Sequence, residues 1–243
     1  MISILYVIAL VLFFILFFPI FILVWIYGKY FDKSMKLIQE TSRVLSFVII
    51  KLCPFWKIEV KGIEKIDKEK TYIIVCNHQS MYDIPLMAYI PLNFRWVAKR
   101  EIYKVPFIGW VTWMRADIGI ERGGLSSTKK MLKQARKYVA NKVSLVIYPE
   151  GTRTKTGKMN EFKEGAFIVA KTTGKDILPI VVNGTWELTN SKKFGFKIPA
   201  RLSLTVLDPM PAEEVRKRDI KDISDTLKER IESAYIADGG IGY

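Results

Sequence analysis

The sequence predicts an α/β fold, with a mixed, mostly parallel sheet flanked by helices and an N-terminal membrane-embedded helical segment. From residue 56 onward, runs of β-branched and aromatic residues alternate with amphipathic helical patterns, which is typical of sheets with crossover helices. A long uncharged run precedes this region. In addition, three polar clusters follow predicted strands, at the sheet edge where open α/β sheets bind ligands.

The N-terminal run, Ile2 to Tyr27, contains 26 consecutive uncharged residues. As a helix it would extend roughly 39 Å at ~1.5 Å per residue, enough to cross a hydrocarbon core of about 30 Å with some tilt. It has neither the basic start nor the small-residue cleavage site of a signal peptide. We expect Pro19 to kink or break the helix, because proline removes a backbone donor.

A second apolar segment, residues 35–52, can fold back against the first. The sequence therefore allows either a single span or a helical pair embedded from one leaflet. Lys29, Lys33, Lys36 and Arg43 follow the first run, and the positive-inside rule then predicts that the rest of the chain lies on the cytoplasmic face of the membrane. We assign residues 1–53 to a membrane-anchoring helical region and residues 54–243 to an α/β domain.

The net charge of +14 predicts an anionic partner. Next to a long apolar anchor, this charge favours an anionic membrane surface and a phosphorylated substrate over nucleic acid. The two cysteines, Cys53 and Cys76, have neither C-x-x-C nor metal-ligand spacing. We expect both to be reduced, structural thiols.

The α/β domain divides into short segments of regular pattern. Residues 102–113 are aromatic and apolar, so they could line an apolar groove or face the membrane, but core packing is the favoured interpretation. The other elements are expected as strands at about 56–60, 71–76, 94–98, 117–122, 143–148, 177–182 and 202–207, and as helices at about 80–89, 126–142, 161–172 and 219–235.

The only histidine of the chain, His78, follows the strand predicted at 71–76, and Asp83 lies five residues later. An imidazole can accept a proton at neutral pH, and a carboxylate on its other ring nitrogen fixes the tautomer. Residues five apart lie on different sides of a helix, so such a pair requires a bend. We place His78 in a strand-to-helix turn, with Ser80 as the helix N-cap and Asp83 at its third position. The alternative is a solvated histidine beside a capping carboxylate.

Two further polar clusters, Glu121-Arg122 and Glu150 to Arg153, also follow predicted strands. Two converging guanidinium groups would suit one phosphate, because each presents a planar, permanently charged fork of donors. Gly151 would let the backbone approach the ligand closely. Each arginine alone could equally be a solvated surface residue.

In combination, these residues resemble the signature of the glycerolipid acyltransferases, in particular the 1-acyl-sn-glycerol-3-phosphate acyltransferases. The block N-H-x-x-x-x-D is present as Asn77, His78 and Asp83. The block F-P-E-G-T-R is present as residues 148–153, with Tyr148 in place of the usual phenylalanine. Two further blocks match residues 120–122 and 178–180, and the resemblance covers residues 55–210 in the family's order.

The resemblance implies an acyltransferase domain that moves a fatty acyl group from acyl-CoA or acyl-carrier protein to the sn-2 hydroxyl of lysophosphatidic acid, forming phosphatidic acid. His78 is expected to be the general base, and Asp83 is expected to orient it. No bound cofactor or metal ion is required, because a thioester is already activated. The substrate-binding residues that the resemblance implies are Arg122, Glu150, Gly151, Thr152 and Arg153, with Lys99 as a further candidate for phosphate or oxyanion contact.

Other functions remain open from the sequence. The acceptor could be glycerol 3-phosphate, another lysophospholipid or a lyso-amino-acid lipid. A thioesterase or lipase is weakened by the absence of a G-x-S-x-G motif, and a non-catalytic basic membrane-surface or nucleic-acid-binding module would explain the charge alone. Cys76 and Ser80 flank the histidine, but each fits a structural role, so no acyl-enzyme is expected.

Overall fold

A computed structural model describes residues 2–32, 34–121, 125–189 and 200–242. The strands are β1 (Trp56–Lys61), β2 (Tyr72–Cys76), β3 (Phe94–Lys99), β4 (Ile118–Ile120), β5 (Ser144–Ile147), β6 (Asp176–Asn183) and β7 (Ala200–Val206). The helices are α1 (Ile2–Phe31), α2 (Lys36–Lys51), α3 (Asp83–Leu86), α4 (Ile108–Met114), α5 (Leu125–Ala140), α6 (Gly165–Thr173), α7 (Thr185–Thr189), α8 (Ala212–Lys217) and α9 (Ile220–Ala237).

The seven strands form one sheet in the order β1-β7-β6-β2-β5-β3-β4. Neighbouring strands run parallel except β6 and β7, so the predicted mixed, mostly parallel sheet is confirmed. Because β2, β5, β3 and β4 all run parallel, their carboxyl ends lie along one side of the sheet. We call this side the carboxyl edge.

Both faces of the sheet are buried. On one face, Ile74 and Cys76 of β2 belong to a core shared with α2 and α3. On the other face, Ile73 and Val75 pack in a core shared with α5, α6 and α9. Burial on both faces explains why β2 and β5 are continuous apolar runs rather than alternating ones.

Helices α1 and α2 form an antiparallel hairpin. The Tyr6 hydroxyl donates to the Ile49 carbonyl at 2.9 Å, and Phe21 packs with Ile38 near the turn. Helices α1 and α2 therefore pack as a pair, while the choice between a single span and insertion from one leaflet stays a prediction. We expected Pro19 to kink or break this helix, and no break occurs, because α1 continues through Pro19 as one helix. By length and composition alone, α1 could cross a membrane.

A fully buried arginine, Arg95 of β3, connects this hairpin to the sheet. Its guanidinium donates to the carbonyls of Ser34 and Met35 in the turn between α1 and α2, each at 3.1 Å. It also donates to the Phe94 carbonyl at 2.7 Å. Burial lowers the pKa of Arg95 to about 10, because the charge has lost its water shell. The hairpin is thus fixed to the sheet by hydrogen bonds from Arg95, with a further one from Asn93 Nδ2 to the Ser34 carbonyl at 3.3 Å.

Two segments differ from the sequence-based expectation. The helix predicted at 80–89 begins only at Asp83 and passes into a 3-10 turn over Met87–Tyr89. Core packing of residues 102–113 was the wrong interpretation, since Trp110 and Trp113 of α4 are 48% and 58% exposed. Their rings pack along α1, a contact that no pattern within the segment can reveal.

Candidate active site

His78 lies in the turn between β2 and α3, at the carboxyl edge. Its Nδ1 atom is 2.7 Å from Oδ2 of the buried Asp83. The same oxygen accepts the backbone N–H groups of Gln79 at 2.7 Å and Ser80 at 3.0 Å. The Asp83 carboxylate therefore closes the turn that the spacing required, and this turn brings the two side chains together.

The Asp83 carboxylate has donors on both oxygens, because the Thr185 hydroxyl donates to Oδ1. An ionised carboxylate can only accept hydrogen bonds, so the Nδ1 atom of His78 carries the shared proton. This tautomer leaves a lone pair on Nε2, which forms no hydrogen bond with the described residues. The His78 side chain is 17% exposed, so an incoming hydroxyl can reach it.

Ser80 does not have the capping role that we predicted. Its hydroxyl accepts the Tyr82 N–H at 3.1 Å, but the helix starts only at Asp83, so Ser80 is not the N-cap. Ser80 and Cys76 are both buried. Burial raises the pKa of the Cys76 thiol well above its ordinary value, and neighbouring negative charge adds to the effect. Neither residue therefore has the accessibility of a nucleophile.

The loop after β5 holds the main chain of His78 from two sides. Glu150 Oε1 accepts the His78 N–H at 2.6 Å, and the Thr154 N–H donates to the His78 carbonyl at 2.9 Å. The other Glu150 oxygen accepts the backbone and side-chain N–H groups of Asn160, each at 2.8 Å. Each Glu150 oxygen therefore accepts from donors of the chain, and Glu150 holds the main chain of His78. That Glu150 also contacts the acceptor stays a prediction.

Glu150 is buried, and burial raises the pKa of its carboxyl above the ordinary value. The hydrogen bonds from Asn160 and His78 act in the opposite direction but do not overcome the loss of hydration. No sequence pattern indicates this role, because Glu150 and His78 are 72 residues apart and meet only through the pairing of β2 with β5.

Tyr148 stacks face to face against the imidazole of His78, with ring centroids 3.9 Å apart and an interplanar angle of 9°. Trp96 in turn packs against the ring of Tyr148, with ring centroids 5.5 Å apart and an interplanar angle of 20°. The Tyr148 hydroxyl is inaccessible to solvent and has no hydrogen-bond partner among the described residues. Burial raises the pKa of Tyr148 well above its ordinary value. The stack was not foreseen from the sequence, where Tyr148 was noted only as a replacement for phenylalanine.

Two further side chains, those of Asn77 and Gln79, support the turn in ways that we did not predict. The Asn77 side chain extends the pairing of β2 with β6 by accepting the Val182 N–H at 2.8 Å and donating to the Val182 carbonyl at 2.9 Å. The Gln79 amide donates to the Tyr235 hydroxyl at 2.8 Å, and its oxygen lies 3.2 Å from the Thr185 hydroxyl. Helix α9 and the start of α7 are thereby connected to the turn that contains His78.

The predicted substrate-binding residues Gly151, Thr152 and Arg153 follow Glu150 in the same loop. Gly151 adopts a φ of 68°, which favours glycine. A Cβ atom at that position would lie 3.3 Å from the Lys163 ammonium nitrogen. Thr152 and Arg153 are exposed, and Arg153 forms no hydrogen bond or ion pair with the described residues. Lys163 is therefore a basic residue at this loop that we missed.

The remaining candidates lie farther along the carboxyl edge. Lys99 is the last residue of β3, the neighbour of β5 in the sheet, and is partly buried. Glu121 follows the edge strand β4 and pairs with Arg100 at an exposed position. Arg122 lies outside the described residues. The structure thus brings His78, Asp83 and the loop after β5 together, with Lys99 one strand away.

Comparisons with known proteins show the family to which the chain belongs. A family model described as Acyltransferase matches residues 57–183, slightly more than half of the chain. The chain is 32% identical to a 1-acyl-sn-glycerol-3-phosphate acyltransferase of Chlamydomonas reinhardtii, over 74% of this chain and 54% of that protein. It is 30% identical to one from Saccharomyces cerevisiae, over 75% and 61%. The chain therefore spans little more than half the length of these relatives.

A solved structure has a similar fold along nearly the whole chain. The crystal structure of the 1-acyl-sn-glycerophosphate acyltransferase PlsC from Thermotoga maritima superimposes with a TM-score of 0.78. The match covers 98% of this chain and 96% of that one, at 23% sequence identity. The helical hairpin and the sheet domain therefore both belong to the shared fold.

Proposed function

Because this chain belongs to the acyltransferase family, we propose that it transfers a fatty acyl group to the sn-2 hydroxyl of 1-acyl-glycerol 3-phosphate, forming phosphatidic acid. The donor is a thioester of coenzyme A or of acyl-carrier protein. One observation carries the proposal: the Nδ1 atom of His78 is held by Asp83, while its Nε2 atom is open beside the loop that contains Arg153. A phosphorylated alcohol requires a base to accept the proton of its hydroxyl group and a cation nearby to bind its phosphate.

In this proposal, His78 Nε2 removes the proton of the sn-2 hydroxyl as the oxygen attacks the thioester carbonyl carbon. The new C–O bond gives a tetrahedral intermediate, and the C–S bond then breaks. The imidazolium transfers its proton to the departing thiolate sulfur, which returns His78 to its neutral form. Asp83 stabilises the imidazolium in between, because its carboxylate stays within 2.7 Å of Nδ1.

The exposed Arg153 is the strongest candidate for the acceptor phosphate. Its guanidinium can form two parallel hydrogen bonds with phosphate oxygens, which favours a phosphomonoester over an uncharged headgroup. Lys163, over Gly151, adds positive charge at the same loop. We assign Arg122 to the same phosphate by resemblance, and Lys99 to the phosphate or to the oxyanion of the intermediate.

The lipid acceptor and the apolar α1 support a membrane location, and the cations that follow α1 support the cytoplasmic face. The hairpin arrangement of α1 and α2 favours insertion from one leaflet, since α2 and the sheet domain cover one side of α1 near both of its ends. An anionic leaflet is the partner that fits the net charge of +14.

The test is incorporation of labelled acyl groups from both donors into a panel of lyso-acceptors. His78→Ala should reduce transfer about 10²–10⁴-fold, the usual contribution of a general base. Arg153→Ala should raise the KM for phosphorylated acceptors about 10-fold or more, since hydrogen bonds to charged groups contribute ~1.5–3 kcal/mol. Arg216→Ala, an exposed arginine of α8, is the matched control and should change neither value.

Several outcomes would contradict the proposal. Equal thioester hydrolysis with and without acceptor would identify a thioesterase. A product formed only from another lyso-lipid, with Arg153→Ala unchanged, would assign a different acceptor. If folded, membrane-bound protein formed no product from any pair of donor and acceptor, the chain would be a non-catalytic membrane protein.

A further inference from the structure

The sheet domain has an apolar surface of its own. Between the end of β3 and the end of α4, five large apolar side chains are exposed. We call these the α4 patch: Val105, Phe107, Ile108, Trp110 and Trp113. Single exposed apolar residues are normal on proteins, but a contiguous cluster that includes two tryptophans marks a surface that is covered in use.

The α4 patch is continuous with the outer surface of α1. The ring centroid of Phe18 lies 5.9 Å from that of Phe107 and 5.4 Å from that of Trp110. Trp113 packs against Trp25 at 5.0 Å. Much of the rest of α1 points outward and is apolar, as in Ile15, Leu16 and Leu23. The material that covers these α1 side chains therefore also reaches the α4 patch, and for so apolar a helix that material is lipid.

The backbone before α4 is built to present these side chains. Phe107 has a φ of 61° and a ψ of −56°, a positive-φ conformation that is costly for a bulky residue. At Gly109, a Cβ atom would lie 2.3 Å from the Tyr103 carbonyl oxygen, so only glycine allows this close approach. The Tyr103 hydroxyl in turn donates to the Asp117 carbonyl at 2.6 Å. Strain of this kind persists where the surrounding structure enforces it, and it clusters at functional surfaces.

We propose that the α4 patch inserts into the same leaflet as α1 and is a second membrane-binding element, one that belongs to the sheet domain. Its occupant is the boundary between headgroups and acyl chains of a bilayer, where tryptophan rings are favourable because they are amphipathic. The exposed Lys104, next to the patch, can reach anionic headgroups.

Insertion of the α4 patch has a consequence for the carboxyl edge. The segment that leads to the patch starts directly after Lys99, the last residue of β3. A leaflet that holds both α1 and α4 therefore lies against the edge that contains His78. The sheet domain is held at the lipid surface at two positions, so it cannot swing away on the α1–α2 turn.

The test uses the full chain with nitroxide labels on single introduced cysteines, in vesicles of three parts phosphatidylcholine to one part phosphatidylglycerol. Trp113→Cys and Ile108→Cys report the α4 patch, and the second label covers the case in which Trp113→Cys fails to fold. Ile236→Cys, on the similarly exposed α9, is the control. The native Cys53 and Cys76 are buried, and an unlabelled parent chain checks that they do not react.

Collisions with oxygen, which is concentrated in the bilayer, are compared with collisions with a water-soluble nickel complex. We expect oxygen to relax the α4 labels at least several-fold more effectively than nickel, and nickel to dominate at Ile236→Cys. Nickel-dominated relaxation at both α4 positions would overturn the proposal. The proposal would also be overturned if the chain formed a dimer and both α4 labels were shielded from oxygen and from nickel. The patch would then be a protein interface. No acyl transfer is measured, so the result is independent of the proposed activity.

Discussion

At the residue scale, three kinds of contact hold His78, and they restrict its protonated ring nitrogen, its main chain and the rotation of its ring. Asp83 fixes which ring nitrogen carries the proton. Glu150 and Thr154 fix the main chain on both sides of the residue. Tyr148 covers one ring face and opposes rotation of the ring. The direction of the Nε2 lone pair is therefore set before any substrate is bound, which is the form of preorganisation that a general base needs.

Asp83→Asn should reduce acyl transfer about 10³-fold or more while the chain stays folded. The amide would present its NH₂ group either to Nδ1 of His78 or to the backbone N–H groups that Asp83 accepts. The first arrangement reverses the tautomer, and the second disrupts the turn. The measurement is kcat with labelled donor, alongside circular dichroism. A variant that keeps more than a tenth of the wild-type kcat would show that Asp83 does not orient the base.

Tyr148→Phe and Tyr148→Leu separate the ring from its hydroxyl. The phenylalanine variant keeps the stack on His78 and removes a buried hydroxyl without a described partner, so kcat should stay within about 2-fold and the thermal midpoint should hold or rise. The leucine variant loses the flat ring, and we expect kcat to fall roughly 10-fold, since a small misplacement of a catalytic group is costly. Equal kcat values for the two variants would exclude a positioning effect of the ring.

Cys76 should resist alkylation in the folded protein. A free thiol has an ordinary pKa of ~8.5, so the reactive thiolate normally increases as the pH rises from 7 to 9. Burial raises the pKa of Cys76, and the thiolate fraction of the folded chain therefore stays negligible across that range. Iodoacetamide labelling at pH 8.5, read by mass spectrometry, should modify Cys76 only after denaturation. Rapid labelling of the native chain, with loss of activity, would restore Cys76 as a candidate nucleophile.

At the element scale, the connection between the α1–α2 turn and β3 depends on Arg95. Its side chain is fully buried and donates to carbonyl oxygens on both elements. On the turn side, the Asp32 carboxylate accepts the Ser34 N–H at 3.1 Å and the Leu37 N–H at 2.7 Å, so the turn is rigid before it meets Arg95. The hairpin and the sheet domain consequently behave as one packed unit.

Arg95→Met should destabilise the protein by about 2–4 kcal/mol. The change removes the hydrogen bonds that the buried guanidinium donates to three carbonyls, although it also relieves the cost of burying a charge. We expect a lower thermal midpoint in detergent micelles and faster proteolysis within residues 32–36. Arg201→Met is the matched control, because Arg201 is an exposed arginine whose ion pairs with Glu59 and Asp238 lie at the surface. Similar midpoints for both variants would show that Arg95 does not hold the hairpin.

At the scale of the whole molecule, contacts with α1 extend along most of its length. Tyr6 packs 5.2 Å from Trp56 of β1, Phe18 meets α4, and Trp25 meets Trp113. A helix that crosses both leaflets would separate these contacts by the thickness of the bilayer. The sheet domain instead accompanies α1 along one side, which fits a hairpin inserted from one leaflet.

The N-terminus of α1 should therefore lie on the same side of the membrane as the sheet domain. A protease-cleavable tag before Met1 should be removed in inside-out vesicles and protected in right-side-out vesicles, if the domain faces the cytoplasm. A second tag after Tyr243 is the matched control, and both should respond alike. Opposite protection of the two tags would show that α1 spans the bilayer.

Much of the fold follows from local pattern. The continuous apolar runs predicted β2 and β5 within one residue of their observed bounds, and the amphipathic period predicted α5 and α9 within a few residues. These elements are predictable because side-chain period depends only on neighbours in the sequence. The pattern failed for α4, where the apolar segment packs on one side against α1 and is otherwise exposed rather than buried in the core. Apolar composition alone does not identify what covers a side chain.

The sequence by itself determined the class of fold, the apolar α1 and the position of His78 and Asp83, whose contact needs only a bend over five residues. The tertiary structure decided what surrounds them. Glu150 meets His78 across 72 residues and Tyr148 stacks on it because β5 pairs with β2, while Thr185 reaches Asp83 because β6 is the neighbour on the other side. Strand order depends on the packing of every crossover helix at once, so these contacts are a property of the assembled sheet rather than of any segment.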